Sequence, residues 1–330
     1  MKRLIYLFII LFHSWLYCYA ESGQRISVLD FGAIPDDGLD DSENIRKACE
    51  YCRDNKSTVL FFPPGLYNFR DSLALQIERE AISGVYGENV QGRLFKPDAP
   101  YVKALDLFGA ENLVVEAEGA ILLLEGWYEV VSIDKAREVT IKGLSIVYRR
   151  PPNTVGKITK LNEGGFDMQI DPERYFYLDK DVTGRVHYVD AMRERLYTGG
   201  RVSGKELLSK DMIRIYTDFR PSTGDFCVLR HSGHYRPAIM IKESSDIYIE
   251  GVKIHSQPGM GVVGHLSENI TLENLQVIPE AGMIISTNTD ATHFTSCKGE
   301  IVIENCKFGG QGDDCTNIHN YYYTIVQQTK

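Results

Sequence analysis

Two adjacent aspartates, Asp313 and Asp314, stand between glycines and a polar segment in the stretch GGQGDDCTNIHN, residues 309–320. Adjacent carboxylates repel each other, so a chain seldom keeps them for stability alone. They could form a hydrated turn, bind a cation, or supply half of a catalytic acid/base pair. A third carboxylate, Asp290, lies 23 positions earlier in another polar stretch.

Carboxyl groups on two sides of one groove can hydrolyse a glycosidic bond. One carboxyl protonates the leaving oxygen, and the other activates a water molecule or attacks the anomeric carbon. Nearby amide and imidazole side chains can orient sugar hydroxyls. The candidate substrate contacts are therefore His293, Gln311, Asn317 and His319. Spacing alone leaves catalysis and a hydrated turn equally open.

The alternation of a β-strand predicts which side chains share a face. If CTNIH forms a strand with Ile318 pointing inward, Asn317 and His319 point outward, and Asp313 shares their side. Asp314 would then face inward unless the backbone bulges. The three glycines just before the pair make such a bulge or turn plausible.

The segments that must position these acids form a repeat. Each has alternating apolar residues, a small or polar break and a second apolar pair: NLVVEAEGAILLL, EVTIKGLSIVY, DIYIEGVKIHS, NITLENLQVIP and EIVIENCKFGG. Equivalent positions Leu113 and Val139 are 26 residues apart, and Ile247, Ile270 and Ile301 are separated by 23 and 31. The strands of a β-sandwich also alternate apolar and polar residues, but a sandwich does not require the same residue pattern each time the chain returns to a sheet.

Stacking explains why the repeat exists, because no single unit can bury its apolar face. Inward side chains such as Ile247, Ile249 and Val252 would cover those of the next coil, about 4.8 Å away. The pattern predicts an all-β parallel solenoid. Corresponding points on neighbouring coils are close in space, so Asp290 can approach the Asp313–Asp314 pair.

The chain divides into four predicted segments. Residues 1–20 are a signal peptide, and 21–150 form an N-terminal cap with the first coils. The cap contains a helix that has its N-cap at Asp41 or Ser42 and carries Ile45, Ala48 and Cys49 on one face. Residues 151–235 interrupt the repeat with hairpin-like strands and are predicted to be a small inserted β-barrel, although 171–200 have no clear period. Residues 236–330 resume the solenoid and carry the aspartates.

The first segment predicts export to the periplasm or the medium. Its basic start (Lys2 and Arg3), apolar run and small Ala20 are typical of a secretory signal peptide. A membrane anchor is the alternative, but the apolar run is short and interrupted by His13 and Ser14. No later stretch is apolar enough for long enough to predict a membrane span.

Charge and motifs exclude several functions. The formal net charge is −9, and loss of the signal peptide makes it more negative, which disfavours nucleic acid and anionic membranes as partners. The GMGVVG match, residues 259–264, leads into another repeat rather than a helix, so no dinucleotide cofactor is expected. His231 and His234 lack an identifiable third ligand, so no metal is expected. Oligomeric state stays open.

Two stretches carry a family resemblance. The opening VLDFGAIPDDGLDDSENIRKA resembles pectin-lyase-like right-handed parallel β-helix proteins. The segment THFTSCKGEIVIENCKFGGQGDDCTNIHNYY resembles the catalytic stretch of glycoside hydrolase family 110. These are exo-acting α-1,3-galactosidases that remove terminal galactose from blood-group B-type glycans. The resemblance implies a metal-independent, inverting enzyme with galactose-terminated glycans as its partners.

The resemblance also implies roles for the acids. The family's acidic residues fall on Asp290, Asp313 and Asp314, with Asp290 expected as the general acid. Asp313 or Asp314 would activate water, and the alternation favours Asp313. Inversion calls for roughly 6.5–9.5 Å between the two acting carboxyl groups. Family members continue well past Lys330, so this chain is expected to be a fragment or truncated product of uncertain activity.

Two other readings stay open. The first is another β-helix glycosidase, such as a polygalacturonase-like enzyme; the acidic balance and the lack of a basic cluster beside the aspartates argue against a uronate substrate. The second is an inactive or carbohydrate-binding β-helix protein. Hydrolysis of an α-galactoside would separate the two classes.

Overall fold

The protein is a stack of coils in a computed structural model that describes residues 23–86, 99–176, 186–192, 195–198, 202–231 and 234–320. Three sheets run along the stack, and every strand pairing within them is parallel. This confirms the predicted all-β right-handed parallel β-helix. The predicted signal peptide, residues 1–20, lies outside the described residues.

The three sheets are named A, B and C in the order in which each coil visits them. Sheet A consists of Gln24–Ser27, Thr58–Phe61, Glu111–Glu116, Arg137–Lys142, Ser245–Glu250, Glu268–Glu273 and Lys298–Glu304. Sheet B consists of Gly65–Phe69, Ala120–Leu124, Ser145–Tyr148, Lys253–Ile254, Gln276–Val277 and Lys307–Phe308. Sheet C consists of Lys103–Asp106, Glu129–Asp134, Ile239–Lys242, Val262–His265, Thr292–Thr295 and Thr316–His319.

The strand register follows the repeat read from the sequence. Leu113 lies directly opposite Val139, Val139 opposite Ile247, and Ile247 opposite Ile270, which in turn lies opposite Ile301. The predicted inward residues of the fourth coil are almost fully buried: Ile247, Ile249 and Val252. Stacked apolar columns therefore build one continuous core along the solenoid.

The N-terminal end is covered by a helix, α1, which spans Ser42–Asp54 and buries the predicted face. Its N-cap is Asp41, one of the two predicted positions, but the carboxylate does not cap the helix. It accepts hydrogen bonds from the backbone N–H groups of Ile34 (3.1 Å) and Asn68 (2.9 Å) instead. Asp41 thus ties the cap to the first strand of sheet B.

A second helix, α2, spans Ser72–Ile82 and was not predicted. Asp71 caps it by accepting hydrogen bonds from Leu73 N and Ala74 N, at 2.8 and 3.3 Å. A short 3-10 helix, Val28–Phe31, links the first strand to α1. Among the described residues, no helix combines the length and apolar character needed to cross a membrane.

The interruption of the repeat is an antiparallel sheet of seven strands with its own apolar core. The strands of this inserted sheet are Asn153–Asn162, Gly165–Ile170, Val186–Asp190, Arg195–Thr198, Val202–Ser209, Met212–Thr217 and Phe226–Arg230. Its order begins with Arg195–Thr198 and ends with Val202–Ser209, and no pairing joins these two strands in the described part of the chain. Two of the strands come from the stretch that had no clear period.

Candidate active site

The connections from sheet B to sheet C all leave the same side of the solenoid. Those that follow the first coil comprise residues 125–128, 149–238, 255–261, 278–291 and 309–315, each lying between a sheet B strand and the following sheet C strand. The second of these is the inserted sheet, the fourth carries Asp290, and the fifth carries Asp313 and Asp314. The fold therefore places the insertion and the three acids on one side of the molecule.

The inserted sheet contacts the connection that carries Asp290. Ile285 packs with Val189 and Val228 of the inserted sheet in a small apolar cluster. Asn153 Nδ2 donates a hydrogen bond to Asn288 Oδ1 at 3.4 Å, between two fully buried side chains. The insertion thus supports one wall of the region around Asp290.

Asp290, Asp313 and Asp314 form an acid cluster in which one oxygen of each carboxyl group lies within 4.8 Å of the others. Asp290 is buried, with 5% of its side chain exposed, whereas Asp313 and Asp314 are exposed. Backbone hydrogen bonds hold the coils in place: Ala291 N donates to Asp314 O at 3.0 Å. Coil stacking therefore brings together acids that are 23 positions apart in the chain.

Gly312 allows the two acidic connections to approach. A Cβ atom at this position would lie 2.4 Å from the carbonyl oxygen of Asn288, so no other residue fits without a shift of the backbone. Gly312 N donates to Thr287 O at 3.0 Å in the same contact. The glycines before the pair thus serve a close approach as well as a turn.

Residues 312–315 lie outside the strand, with bends at Gly312, Asp313 and Cys315, which changes the expected orientation of Asp314. Asn317 Nδ2 donates to Asp314 Oδ2 at 3.3 Å, so Asp314 turns toward an outward-facing side chain together with the rest of the cluster. Strict alternation, which would point Asp314 inward, does not extend through the bends. Ile318 lies beside buried Phe294 in sheet C, on the predicted face, although 61% of it is exposed on the outermost strand.

The four predicted substrate contacts occupy different positions. His293 Nδ1 lies 2.7 Å from Asp290 Oδ2, and His293 Nε2 lies 2.9 Å from His319 Nε2. Asn317 is bonded to Asp314, as described. Gln311 Nε2 lies 3.8 Å from Cys315 Sγ, and its backbone bridges to Thr287 on the preceding coil. Three of the four therefore join the hydrogen bonds of the acid cluster, and Gln311 lies at its border.

Sequence reasoning missed the inserted sheet's contribution. Asn153 and Ile285 were not candidates, because nothing in the repeat indicates which connection the insertion touches. It also missed the direct bond between His293 and Asp290. The only signal for that bond is the Asp-x-x-His spacing of DATH, residues 290–293, which many turns share.

The electrostatics of the site are dominated by the three acids. Among the residues that the structure describes, the only cationic partner within ion-pair distance of the cluster is His293, which can be charged or neutral. Three carboxylates this close have the geometry to share a cation. An acidic cluster alone does not identify a metal site, so none is assigned.

His231 and the cysteines Cys49 and Cys52 are buried in the fold. His231 is buried, and its Nε2 lies 2.8 Å from Thr154 Oγ1. Burial, followed by the nearby charges of Arg150 and Lys205, holds the pKa of His231 well below its usual value, so the ring stays neutral. Cys49 and Cys52 are buried free thiols of α1. Burial raises the pKa of Cys52 to about 12, which makes it inert.

The separation of the acids bears on stereochemistry. The nearest oxygens lie within 4.8 Å, closer than the roughly 6.5–9.5 Å that separates carboxyl groups in inverting glycosidases. By that measure the cluster is nearer to the roughly 5–5.5 Å typical of retaining enzymes. The exposure of Asp313 and Asp314 favours inversion instead, because water reaches their carboxyl groups directly.

Comparisons with known proteins find glycoside hydrolases. A family model described as glycosyl hydrolases family 28 matches residues 225–329, which include all three acids. The chain is 25% identical to α-1,3-galactosidase A of Shewanella woodyi, over 92% of this chain and 52% of that protein. It is 26% identical to α-1,3-galactosidase B of Bacteroides thetaiotaomicron, over 93% of this chain and 52% of that protein.

The chain spans about half the length of the curated relatives it matches. A solved family 28 exopolygalacturonase of Yersinia enterocolitica aligns with a TM-score of 0.41 and 13% identity, covering 90% of this chain and 45% of that one. The two named relatives confirm the resemblance to α-1,3-galactosidases that the sequence motifs indicated.

Proposed function

We propose that this chain carries the acid/base site of an exported glycoside hydrolase that removes terminal α-1,3-linked galactose, with blood-group B-type glycans as its substrates. The observation that carries the proposal is the acid cluster, in which the nearest oxygens of three carboxyl groups lie within 4.8 Å of one another. The cluster lies on the same side of the solenoid as the inserted sheet. The names of the relatives supply the sugar and the linkage.

Asp290 is proposed as the general acid because it is the buried member of the cluster. Its proton would go to the glycosidic oxygen as the bond to the anomeric carbon breaks. Asp313 and Asp314 are exposed, which suits a group that activates water. Of the two, Asp313 is proposed as the base, because Asp314 is already bonded to Asn317.

The first experiment measures hydrolysis of galactosyl-α-1,3-galactose, whose leaving group needs protonation, by the chain and by its Asp290→Asn variant. Removing a general acid or base lowers the rate about 10²–10⁴-fold. Asp246→Asn is the matched control, because Asp246 is an exposed acid of sheet A far along the chain from the site. Full activity in Asp290→Asn would remove Asp290 from the mechanism. A chain that binds galactosides without hydrolysing them would be a carbohydrate-binding protein instead.

The second experiment follows the anomeric configuration of the first product by NMR. Inversion is proposed from the exposure of Asp313 and Asp314 and from the family resemblance, and it predicts β-galactose as the initial product. The short separation of the nearest oxygens weighs against inversion. Initial α-galactose would assign a retaining mechanism with one of the exposed acids as nucleophile.

The match to the family 28 model makes polygalacturonate the rival substrate. Among the described residues, no lysine or arginine forms an ion pair with the acid cluster, so the three acids present like charges to a uronate carboxylate. The chain is therefore expected to leave polygalacturonate intact. Release of reducing ends from this polymer, without activity on α-galactosides, would reverse the assignment.

Export is proposed from the features of residues 1–20 alone. Fractionation of cells that express the full chain should recover a processed protein, shortened by about 20 residues, outside the cytoplasm. A chain that keeps its N-terminal segment and stays in the cytoplasm would contradict this part of the proposal.

A further inference from the structure

The outer face of sheet C is open beside the acid cluster and covered farther from it. One column of outward side chains consists, in register, of Ser132, Met240, Val263, His293 and Asn317. Ser132 is only 2% exposed, although its column points away from the core, whereas Met240 and Val263 are half-buried. The open floor beside the acids therefore ends at the strand Glu129–Asp134.

The covered end of this face is built around Glu129. Residues 129–133 are all buried, including those that point away from the core. Arg236 Nη1 lies 3.9 Å from Glu129 Oε2, and the guanidinium carbon of Arg236 lies 3.8 Å from the centre of the Tyr101 ring. Arg236 belongs to the connection 149–238, which also forms the inserted sheet. The insertion and its flanking residues thus contribute to the covered end as well as to the wall near Asp290.

Two open strands separate the covered end from Thr292–Thr295, the strand that follows Asp290 in the chain. They are Ile239–Lys242 and Val262–His265. Adjacent strands lie about 4.8 Å apart, so the open floor measures roughly 10 Å along the stack. One pyranose ring fits on this floor with its anomeric carbon at the acids, whereas a second ring in line would meet the covered strand. A groove of this shape admits the end of a glycan and excludes its middle.

The open floor suits an uncharged sugar with an apolar ring face. Its outward side chains are Met240 and Val263 in one column and Lys242 and His265 in the next. Galactose has such a face, because its axial hydroxyl lies on one side of the ring and carbon-bound hydrogens cluster on the other. Lys242 Nζ lies 3.5 Å from Asp134 Oδ2 and 3.3 Å from Glu243 Oε1, so carboxylates of the protein already balance its charge.

We propose that Met240 and Val263 form a dead-end subsite for the terminal galactose ring, whose apolar face packs on both side chains while its anomeric carbon lies at the acid cluster. This rests on the proposed function. The rest of the glycan leaves the groove toward Asn317, on the outermost strand of sheet C. The subsite fixes only the position of the ring, so it holds whichever acid donates the proton. Met240 and Val263 are therefore specificity-determining residues, and they take no part in bond breaking.

Binding is tested by NMR of protein with ¹³C-labelled methionine and valine methyl groups, whose signals are assigned from the Met240→Leu and Val263→Ile variants. Galactose is expected to shift both signals and to leave those of Val114, in sheet A, unmoved. Glucose differs only in the orientation of one hydroxyl, which replaces a hydrogen of the apolar face. It should bind at least about 10-fold more weakly, because that hydroxyl loses water at the floor. Galactose binding without a shift of Met240 and Val263, or no galactose binding, overturns the subsite.

Kinetics give a second test of the subsite. Val263→Trp places an indole ring on the floor and should raise KM for galactosyl-α-1,3-galactose at least about 10-fold with little change in kcat, the signature of lost ground-state binding. The matched control is Val114→Trp, since Val114 is also a half-buried valine on a strand that is paired on both sides. Thermal unfolding verifies that both variants fold. If Val263→Trp does not fold, NMR of the wild-type chain still decides.

The outcomes separate the subsite from the proposed function. A chain that binds galactose on Met240 and Val263 but hydrolyses no galactoside keeps the subsite and ends the proposed function. Hydrolysis with an unchanged KM in Val263→Trp ends the subsite and leaves the proposed function standing.

Discussion

Two segments on the same side of the solenoid are built from opposite kinds of side chain: the connection 125–128, and residues 286–290 near the end of the connection 278–291. The first places Trp127 and Tyr128 in the core, both fully buried. Tyr235 packs on Trp127 with ring centroids 5.3 Å apart. The second is equally buried, but it consists of Ser, Thr, Asn, Thr and Asp.

The buried polar connection is held by hydrogen bonds to neighbouring coils. Ser286 Oγ donates to Gly309 O at 2.8 Å, and Asn288 Nδ2 donates to Pro258 O at 3.3 Å. Burying polar groups costs free energy unless they are paired, and paired groups yield little net stability. The connection from sheet B to sheet C therefore stabilises the fold near the N-terminal end of the solenoid, and the equivalent connection near the C-terminal end orients Asp290. We expect substitutions in the two connections to separate stability from activity.

The largest effect is expected for the double variant Asp313→Asn/Asp314→Asn. Activity on p-nitrophenyl α-galactoside should fall about 10³-fold or more, which is about 4 kcal/mol of transition-state stabilisation. The unfolding midpoint should stay equal or rise, because two like charges disappear from exposed positions. Thermal unfolding and initial rates, measured on the same preparation, check both parts. Retained activity would remove the catalytic assignment of this pair.

Trp127→Ala should produce the converse result. Truncation of a fully buried tryptophan should lower the free energy of unfolding by about 3–5 kcal/mol, because it leaves a cavity. Activity per folded molecule should change little. Urea denaturation measures the loss, and Trp127→Phe is the matched control with a smaller expected effect. A loss below about 1 kcal/mol would show that the aromatic connection does not carry the stability assigned to it.

Glu78 of α2 adds a pH dependence to the aromatic end. Its Oε2 accepts a hydrogen bond from Gly126 N at 3.2 Å. Burial, only partly offset by the charge of Arg150, raises the pKa of Glu78 from 4.5 to about 7. The folded state thus favours the protonated acid. The stabilisation of the folded state by protonated Glu78 is complete below pH 4.5 and is lost as the pH rises through about 7.

Glu78→Gln should therefore stabilise the protein at high pH only. We expect a gain on the order of 2–3 kcal/mol at about pH 9 and little change at about pH 4, measured by urea denaturation. Glu50→Gln, on the exposed face of α1, is the control and should show no such difference. Equal effects at both pH values would mean that Glu78 is not buried as a neutral acid.

The smallest effect is expected at the contact between the inserted sheet and the polar connection. Asn153→Ala removes the hydrogen bond to Asn288 Oδ1 and should cost about 1–2 kcal/mol of stability. Because Asn288 lies two residues before Asp290, kcat should fall more than KM changes. Ser203→Ala, at an exposed outer strand of the inserted sheet, is the control. An unchanged kcat would show that the insertion does not position Asp290.

Much of the fold could be predicted because its signal is local and repeated. The equivalence of Leu113, Val139, Ile247 and Ile270 in the sequence became direct strand pairing in the structure. A strand's alternation of apolar residues is sufficient to identify its buried face, and stacking follows from the need to cover that face. Helix α2 was missed because its apolar residues lie in a segment without a repeat partner.

The candidate site was only partly predictable. Asp290, Asp313 and Asp314 could be named, and coil stacking implied their proximity. The orientation of Asp314 could not be derived, because bends within residues 312–315 break the alternation. The bond between His293 and His319 could not be derived either, because it joins side chains of two neighbouring coils.

The amino-acid sequence by itself determined the periodic core, the interruption of the repeat and the identity of the acids, because these depend on side-chain type and short-range spacing. Only the tertiary structure decided which side of the solenoid the insertion shares with the acids, and that His293 joins Asp290 to His319. Those relations depend on atoms of different coils meeting within hydrogen-bonding distance, and no local pattern encodes such a distance.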